Sequence, residues 1–161
     1  MIGQTEAEFL AGYDVRHYDR PSVTVDIVLF VRSAGEAEPG LLLIKRGNHP
    51  FIGTWALPGG FVGSQETVEQ AALRELNEET GVLPNQVELR QLKVFSDPER
   101  DPRTRIITCA FVAEIDDVEL NLQAGDDAAA VEVFSLDEVR QLELAGDHQQ
   151  IIEYALRHSL H

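Results

Sequence analysis

The sequence predicts an α/β fold, an α/β/α sandwich around a mixed β-sheet, and three observations lead to it. Apolar β-branched runs and helical segments follow one another without the regular alternation of a doubly wound parallel sheet. The 161 residues suffice for one domain that buries about 70% of its unfolded surface, with no need of a disulfide or structural metal. Hydrophobic and charged fractions of 43% and 25% are globular values and exclude a disordered or fibrous chain.

In chain order, residues 1–20 are polar and mixed and read as an N-terminal extension to a single domain over 21–161. Residues 22–32 (SVTVDIVLFVR) are β-branched and alternate enough to form a strand. A polar stretch with Gly and Pro, 33–40, separates it from a second apolar run at 41–44, which predicts a hairpin with a long loop. Residues 47–63, rich in Gly and Pro around Trp55 and Phe61, read as irregular. Thr67 and Gln70 form the ends of a capping box, and Gly81 stands where a left-handed C-terminal residue belongs, so the spacing predicts a helix over 68–80. Strands are expected at 86–95 and 104–115 on either side of the Pro-containing loop 97–103, and a short one at 131–134. Two helices close the chain, the first started by the capping box of Ser135 and Glu138, the second near Asp147. There is no internal repeat or low-complexity tract.

Thirteen basic against 28 acidic residues leave a formal charge of -15, the wrong sign for a general nucleic-acid or anionic-membrane binder. A phosphate-bearing substrate would need local neutralisation, and a divalent cation supplies it. The single cysteine, Cys109, excludes an intrachain disulfide and reads as a buried packing thiol in the apolar run 106–111. No apolar stretch reaches the ~20 residues of a bilayer span, and the N-terminus lacks a basic flank followed by an apolar segment. The expectation is a soluble cytoplasmic protein without membrane or nucleic-acid partners.

The helix at 68–80 carries the informative pattern. Val68, Ala71, Ala72 and Leu76 define its apolar stripe, yet Glu75 and Glu79 project into the middle of that stripe and Glu78 lies near its edge. A solvated acidic face would lie opposite. Like charges four residues apart repel by roughly 0.2–0.5 kcal/mol on an exposed helix, and more when desolvated. Arg74 can pair with Glu78, which leaves the other two carboxylates uncompensated. A hard divalent cation, Mg2+ or Mn2+, would resolve the conflict.

From Gly60 onward the chain reads Gly60-x5-Glu66-x7-Arg74-Glu75-Leu76-x-Glu78-Glu79-x-Gly81-Val82, which resembles the Nudix box at all nine specified positions of that 23-residue signature. The likeness extends from the strand at 22 through the run 55–62 (WALPGGFV) to the closing helix. The resemblance implies a Nudix-type α/β/α sandwich that hydrolyses a nucleoside diphosphate linked to another moiety. It implies that Glu75, Glu78 and Glu79 hold the Mg2+ or Mn2+ with the carbonyl of Gly59, that Gly60 allows close backbone approach, and that Glu66, Arg74 and Gly81 brace the box. The general base varies within the family. A glutamate of the helix, Glu78, is one candidate; Asp127, six residues before Val133 in a late loop, is the other, against the plainer reading of 125–128 as an Asx turn.

The loop 100–103 (RDPR), Pro50-Phe51 and the late Gly146-Asp147-His148 look like the ADP-ribose pyrophosphatase branch of the family, although relatives often carry Phe where Gly146 stands. By that resemblance ADP-ribose yields AMP and ribose 5-phosphate, with Arg46 and Arg103 as substrate-binding candidates, or else as surface charges. His148 reads as a hydrogen-bonding residue at a helix start. The competing readings are sanitation of nucleoside triphosphates and an ADP-ribose-sensing domain without turnover. Family members are commonly dimers, so a homodimer is a further implication.

Overall fold

Eleven consecutive residues, Ser22–Arg32, form strand β1, and all but the ends of this strand are buried. Burial on both faces follows from its place at the centre of the sheet in a computed structural model that describes residues 3–160. The outermost residues of the expected extension (1–20) and domain (21–161) therefore lie outside the described residues. Strand β2 (Gly40–Arg46) pairs antiparallel with β1 as a hairpin, as the sequence leads one to expect. Two short strands, β3 (Trp55–Ala56) and β4 (Gly59–Phe61), arise within the stretch expected to be irregular; β3 adds to β2 and β4 to β1. Strand β5 (Arg90–Phe95) forms the edge, β6 (Ile106–Asp116) lies parallel to β1 over its whole length, and β7 (Ala128–Phe134) pairs with β2. The sheet is mixed, with the path β3-β2-β1-β6-β5.

Helices cover both faces. The first, α1 (Glu6–Gly12), begins at a Thr5–Glu8 capping box that the sequence reading did not single out, and it buries none of its residues. Helix α2 spans Val68–Thr80, capped by Thr67 with Gln70 and ended by Gly81 in the left-handed region at φ 80°. It packs Ala71, Ala72 and Leu76 onto the odd positions of β1 (Val25, Ile27, Leu29, Val31) with Leu42 and Phe111. The even positions, Val28 and Phe30, join Leu41, Leu43 and Val112 beneath α3 (Leu136–Val139) and α4 (His148–His158). The α/β/α sandwich is thus as predicted.

Two strand starts differ by three residues or more from the sequence expectation. The strand expected from 86 begins at Arg90, because Pro84 starts a 3-10 turn whose Gln86 side chain accepts from the Leu83 N–H and donates to the Glu119 carbonyl. The strand expected at 131–134 starts at Ala128, since the ladder with Lys45 and Arg46 recruits alanines of low intrinsic β preference. Cys109 packs against the α2 side of the core but is only partly buried, and that burial pushes its thiol up from the ordinary range. No helix among the described residues is long and apolar enough to cross a membrane.

Candidate active site

A pocket of about 430 Å3 opens where α2, the β3–β4 segment, the loop before β6 and the start of α4 meet. Of the residues singled out in the sequence, it brings together Glu75, Glu79, Gly59, Gly60, Arg46, Arg103 and Asp127. Glu78, Glu66, Arg74 and Gly81 lie outside its wall.

The helix acids differ sharply in environment. Glu79 accepts the Gly59 N–H at 2.9 Å. Burial pushes its carboxyl up to about 8, a rise that the Gly59 hydrogen bond opposes and the neighbouring Glu75 and Asp26 charges reinforce. Burial also raises Glu75, whose side chain is only 14% exposed, against the pull of Arg74. Glu78 is 57% exposed. Arg74 does more than the i+4 pairing expected of it. Its Nη1 donates to Glu75 at 2.7 Å and to Glu78 at 3.2 Å, its Nε to Glu66 at 2.9 Å, and its Nη2 to the Phe61 carbonyl at 3.1 Å. Held by that guanidinium and by the Gly63 N–H, Glu66 falls to about 2. The loop 61–66 is thereby tied to the helix. Gly60 has a specific reason: a Cβ built on it would run into the Glu75 carboxylate.

Among the described residues no three His, Cys, Asp or Glu side chains converge on one point. Glu75 and Glu78 instead share the Nη1 donors of Arg74. The donor chemistry nevertheless fits a hard divalent cation: carboxylates of adjacent helical turns beside a glycine backbone, one of them, Glu79, largely buried and in no ion pair among the described residues. A buried carboxylate of this kind is neutralised by a proton or by a cation.

Asp127 reaches the pocket through close packing of its loop on the end of α2. The Gln123 and Gly125 N–H groups donate to the Thr80 and Glu79 carbonyls at 2.9 and 3.4 Å, and a Cβ on Gly125 would collide with the Glu78 carbonyl. Asp127 itself is exposed on the wall. Three arginines line the same pocket. Arg103 is bidentate to Asp101 at 3.0 and 2.8 Å and lies over the Phe61 ring at 5.2 Å. Arg100 is bidentate to Asp147 at 2.9 and 2.8 Å. Arg46 donates its Nε to the neutral Pro50 carbonyl at 2.6 Å, and no carboxylate pairs with it among the described residues. Its Nη donors are the ones a diphosphate can take without breaking an ion pair.

The sequence reading missed a buried polar cluster on the pocket floor. Asp26, at an even position of β1, accepts the Thr108 hydroxyl at 2.6 Å and lies 3.3 Å from His148 Nε2 and 3.9 Å from Arg100 Nη2. His148 does hydrogen-bond at the start of α4, but its partner is remote in sequence: Nδ1 accepts the Leu57 N–H at 2.9 Å. Asp147 caps no helix N–H with its side chain, because both its oxygens serve Arg100. The signal available was Asp26 itself, a carboxylate in the interior of a strand and flanked by Val25 and Ile27.

A family model described as the NUDIX domain matches residues 20–155. A protein named ADP-ribose pyrophosphatase from Methanocaldococcus jannaschii is 44% identical over 142 residues, covering 88% of this chain and 77% of that one. The ADPR responsive transcriptional repressor NtrR of Acinetobacter baylyi is 33% identical over 153 residues, 94% of this chain but 59% of its own length. The crystal structure of the NUDIX domain of Shewanella oneidensis NrtR with ADP ribose superposes with a TM-score of 0.85 at 37% identity, covering 96% of this chain and 98% of that one.

Proposed function

The chain belongs to the Nudix family, and from that premise we propose that it hydrolyses ADP-ribose to AMP and ribose 5-phosphate with the help of Mg2+ or Mn2+. The observation that carries the chemistry is the pairing of two desolvated carboxylates, Glu75 and Glu79, with Arg46 in one pocket. The substrate is supported by likeness to a protein named for ADP-ribose hydrolysis and to a domain crystallised with ADP ribose.

In this reading Glu75 and Glu79, joined by Glu78 and the Gly59 carbonyl, would hold the cation. A divalent cation there neutralises phosphate oxygens and lowers the pKa of water. Glu78 would join them by giving up its Arg74 contact, which its exposure permits. Arg46 turns its Nη donors to the diphosphate, and Arg103, its guanidinium over the Phe61 ring, lines the same pocket. Asp127 accepts a proton from the attacking water as a phosphorus–oxygen bond of the diphosphate breaks. If Asp127 is that base, Asp127→Asn lowers kcat about 100-fold with little change in KM. Asp126→Asn, on the neighbouring residue, leaves both near wild type. Steady-state kinetics on the two variants checks this; equal small effects move the role to a helix glutamate, Glu78 first.

The substrate is tested by comparing kcat/KM for ADP-ribose with that for an oxidised dGTP in Mg2+ and in Mn2+. ADP-ribose is expected to be preferred, since polar groups placed for a terminal ribose are left unpaired by a triphosphate. A larger value for the triphosphate overturns the substrate while leaving the hydrolysis standing. ADP-ribose binding without Mg2+-dependent release of AMP would indicate a sensor.

A further inference from the structure

We infer that His148 is a positioning residue that holds the segment Leu57–Gly60, and with it the Gly59–Gly60 backbone facing the α2 glutamates, through a single tautomer fixed beside Asp26. This deepens the proposed hydrolysis, on which only the last of the three measurements below rests.

Leu57 lies between β3 and β4, where no strand takes its N–H, and the residue is 2% exposed. A buried amide requires an acceptor, and here it is His148 Nδ1 at 2.9 Å, delivered from the first residue of α4. Only an unprotonated ring nitrogen can accept. The ring proton therefore belongs on Nε2, the nitrogen that faces Asp26 Oδ1 at 3.3 Å. Asp26 is fixed in turn by the Thr108 hydroxyl, with the Arg100 guanidinium 3.9 Å away. The His148 and Asp26 side chains are 14% and 10% exposed, so water competes poorly for either.

The held segment is short and directly attached to the site. Pro58 accepts the Ile27 N–H at 2.8 Å, and the Gly59 N–H donates to Glu79 at 2.9 Å. With the Leu57 amide released, the backbone between β3 and Gly59 keeps the Ile27–Pro58 hydrogen bond, beside the packing of the Leu57 side chain in the core under α4. The start of α4, which walls the pocket, and the glycine backbone beside Glu79 are thus joined through one imidazole.

Three measurements on the full chain test this. In the metal-free wild type, long-range 15N–1H correlation at pH 7.5 should show Nδ1 unprotonated and Nε2 protonated; a proton on Nδ1 overturns the inference, and no variant is needed to see it. Amide exchange at Leu57 should accelerate about tenfold in His148→Ala, the loss of one hydrogen bond. It should stay near wild type in His148→Asn, whose Oδ1 replaces Nδ1 as acceptor. Equal exchange in all three proteins overturns it. Should His148→Ala not fold, accelerated exchange in His148→Asn does the same. Finally, half-saturating Mg2+ for turnover should rise about tenfold in His148→Ala and recover in His148→Asn, and an unchanged Mg2+ requirement in both removes the positioning role. If no substrate is turned over, the proposed hydrolysis fails while tautomer and exchange still decide the inference.

Discussion

Glu79→Gln is expected to lower kcat/KM about 1,000-fold or more while the fold persists, because an amide of the same shape cannot supply the anionic donor that a buried cation site needs. The same variant should melt differently with pH. The folded carboxyl titrates near 8, above its ordinary value of 4.5. Between those values the folded chain keeps a proton that the unfolded chain has lost, so this group makes stability fall as pH rises through the window. The loss amounts to a few kcal/mol by pH 8 in the absence of a divalent cation. Mg2+ binds the ionised form, so its stabilising effect should grow over the same window. Melting temperatures from pH 5 to 8.5 with and without Mg2+ check this. The metal-free wild type should lose stability relative to Glu79→Gln as pH rises, and parallel curves would show that Glu79 is not the buried acid described.

Arg100→Met should be the most destabilising single change in the pocket. The Arg100 side chain is 6% exposed and bidentate to Asp147, with Asp26 nearby. Removing the cation leaves two carboxylates in a poorly solvated floor, which costs about 3–5 kcal/mol. For a domain of this size that corresponds to a fall of roughly 10 °C in Tm. Asp147→Asn should cost less alone and should recover part of the loss when combined with Arg100→Met, since the two residues share one interaction. Chemical denaturation of the four proteins gives the coupling, and strict additivity would mean that the pair is no more than a surface contact.

Much of the fold was legible because its signals are local. Thr67, Gln70 and Gly81 set both ends of α2 from neighbouring residues, and alternation in 22–32 identifies β1. Residues 55–61 form strands only because β1 and β2 offer ladder partners, which no local pattern reveals. The site divides in the same way. Glu75 and Glu79 stood out because charge interrupts an apolar stripe at a fixed helical spacing. The joining of Asp26, Thr108, Arg100 and His148 depends on four separate chain segments meeting, so the sequence singled out His148 and the 100–103 loop without showing that they meet Asp26 and Thr108.

The parallel pairing of β1 with β6 also bears on how the chain reaches this structure. Ser22 stands opposite Ile106 and Arg32 opposite Asp116, a constant offset of 84 residues. The central ladder of the sheet therefore cannot begin to form until a loop of that length has closed, and loop closure must precede the contacts that reward it. The β1–β2 hairpin joins neighbouring segments and α2 closes its own hydrogen bonds and caps, so both can be sampled early. During synthesis the apolar residues of β1 must wait, with one edge unpaired, until residues 106–116 emerge. Mutations that weaken β6, such as Phe111→Ala at its buried centre, should slow folding as well as speed unfolding, whereas changes in α4 should act mainly on unfolding.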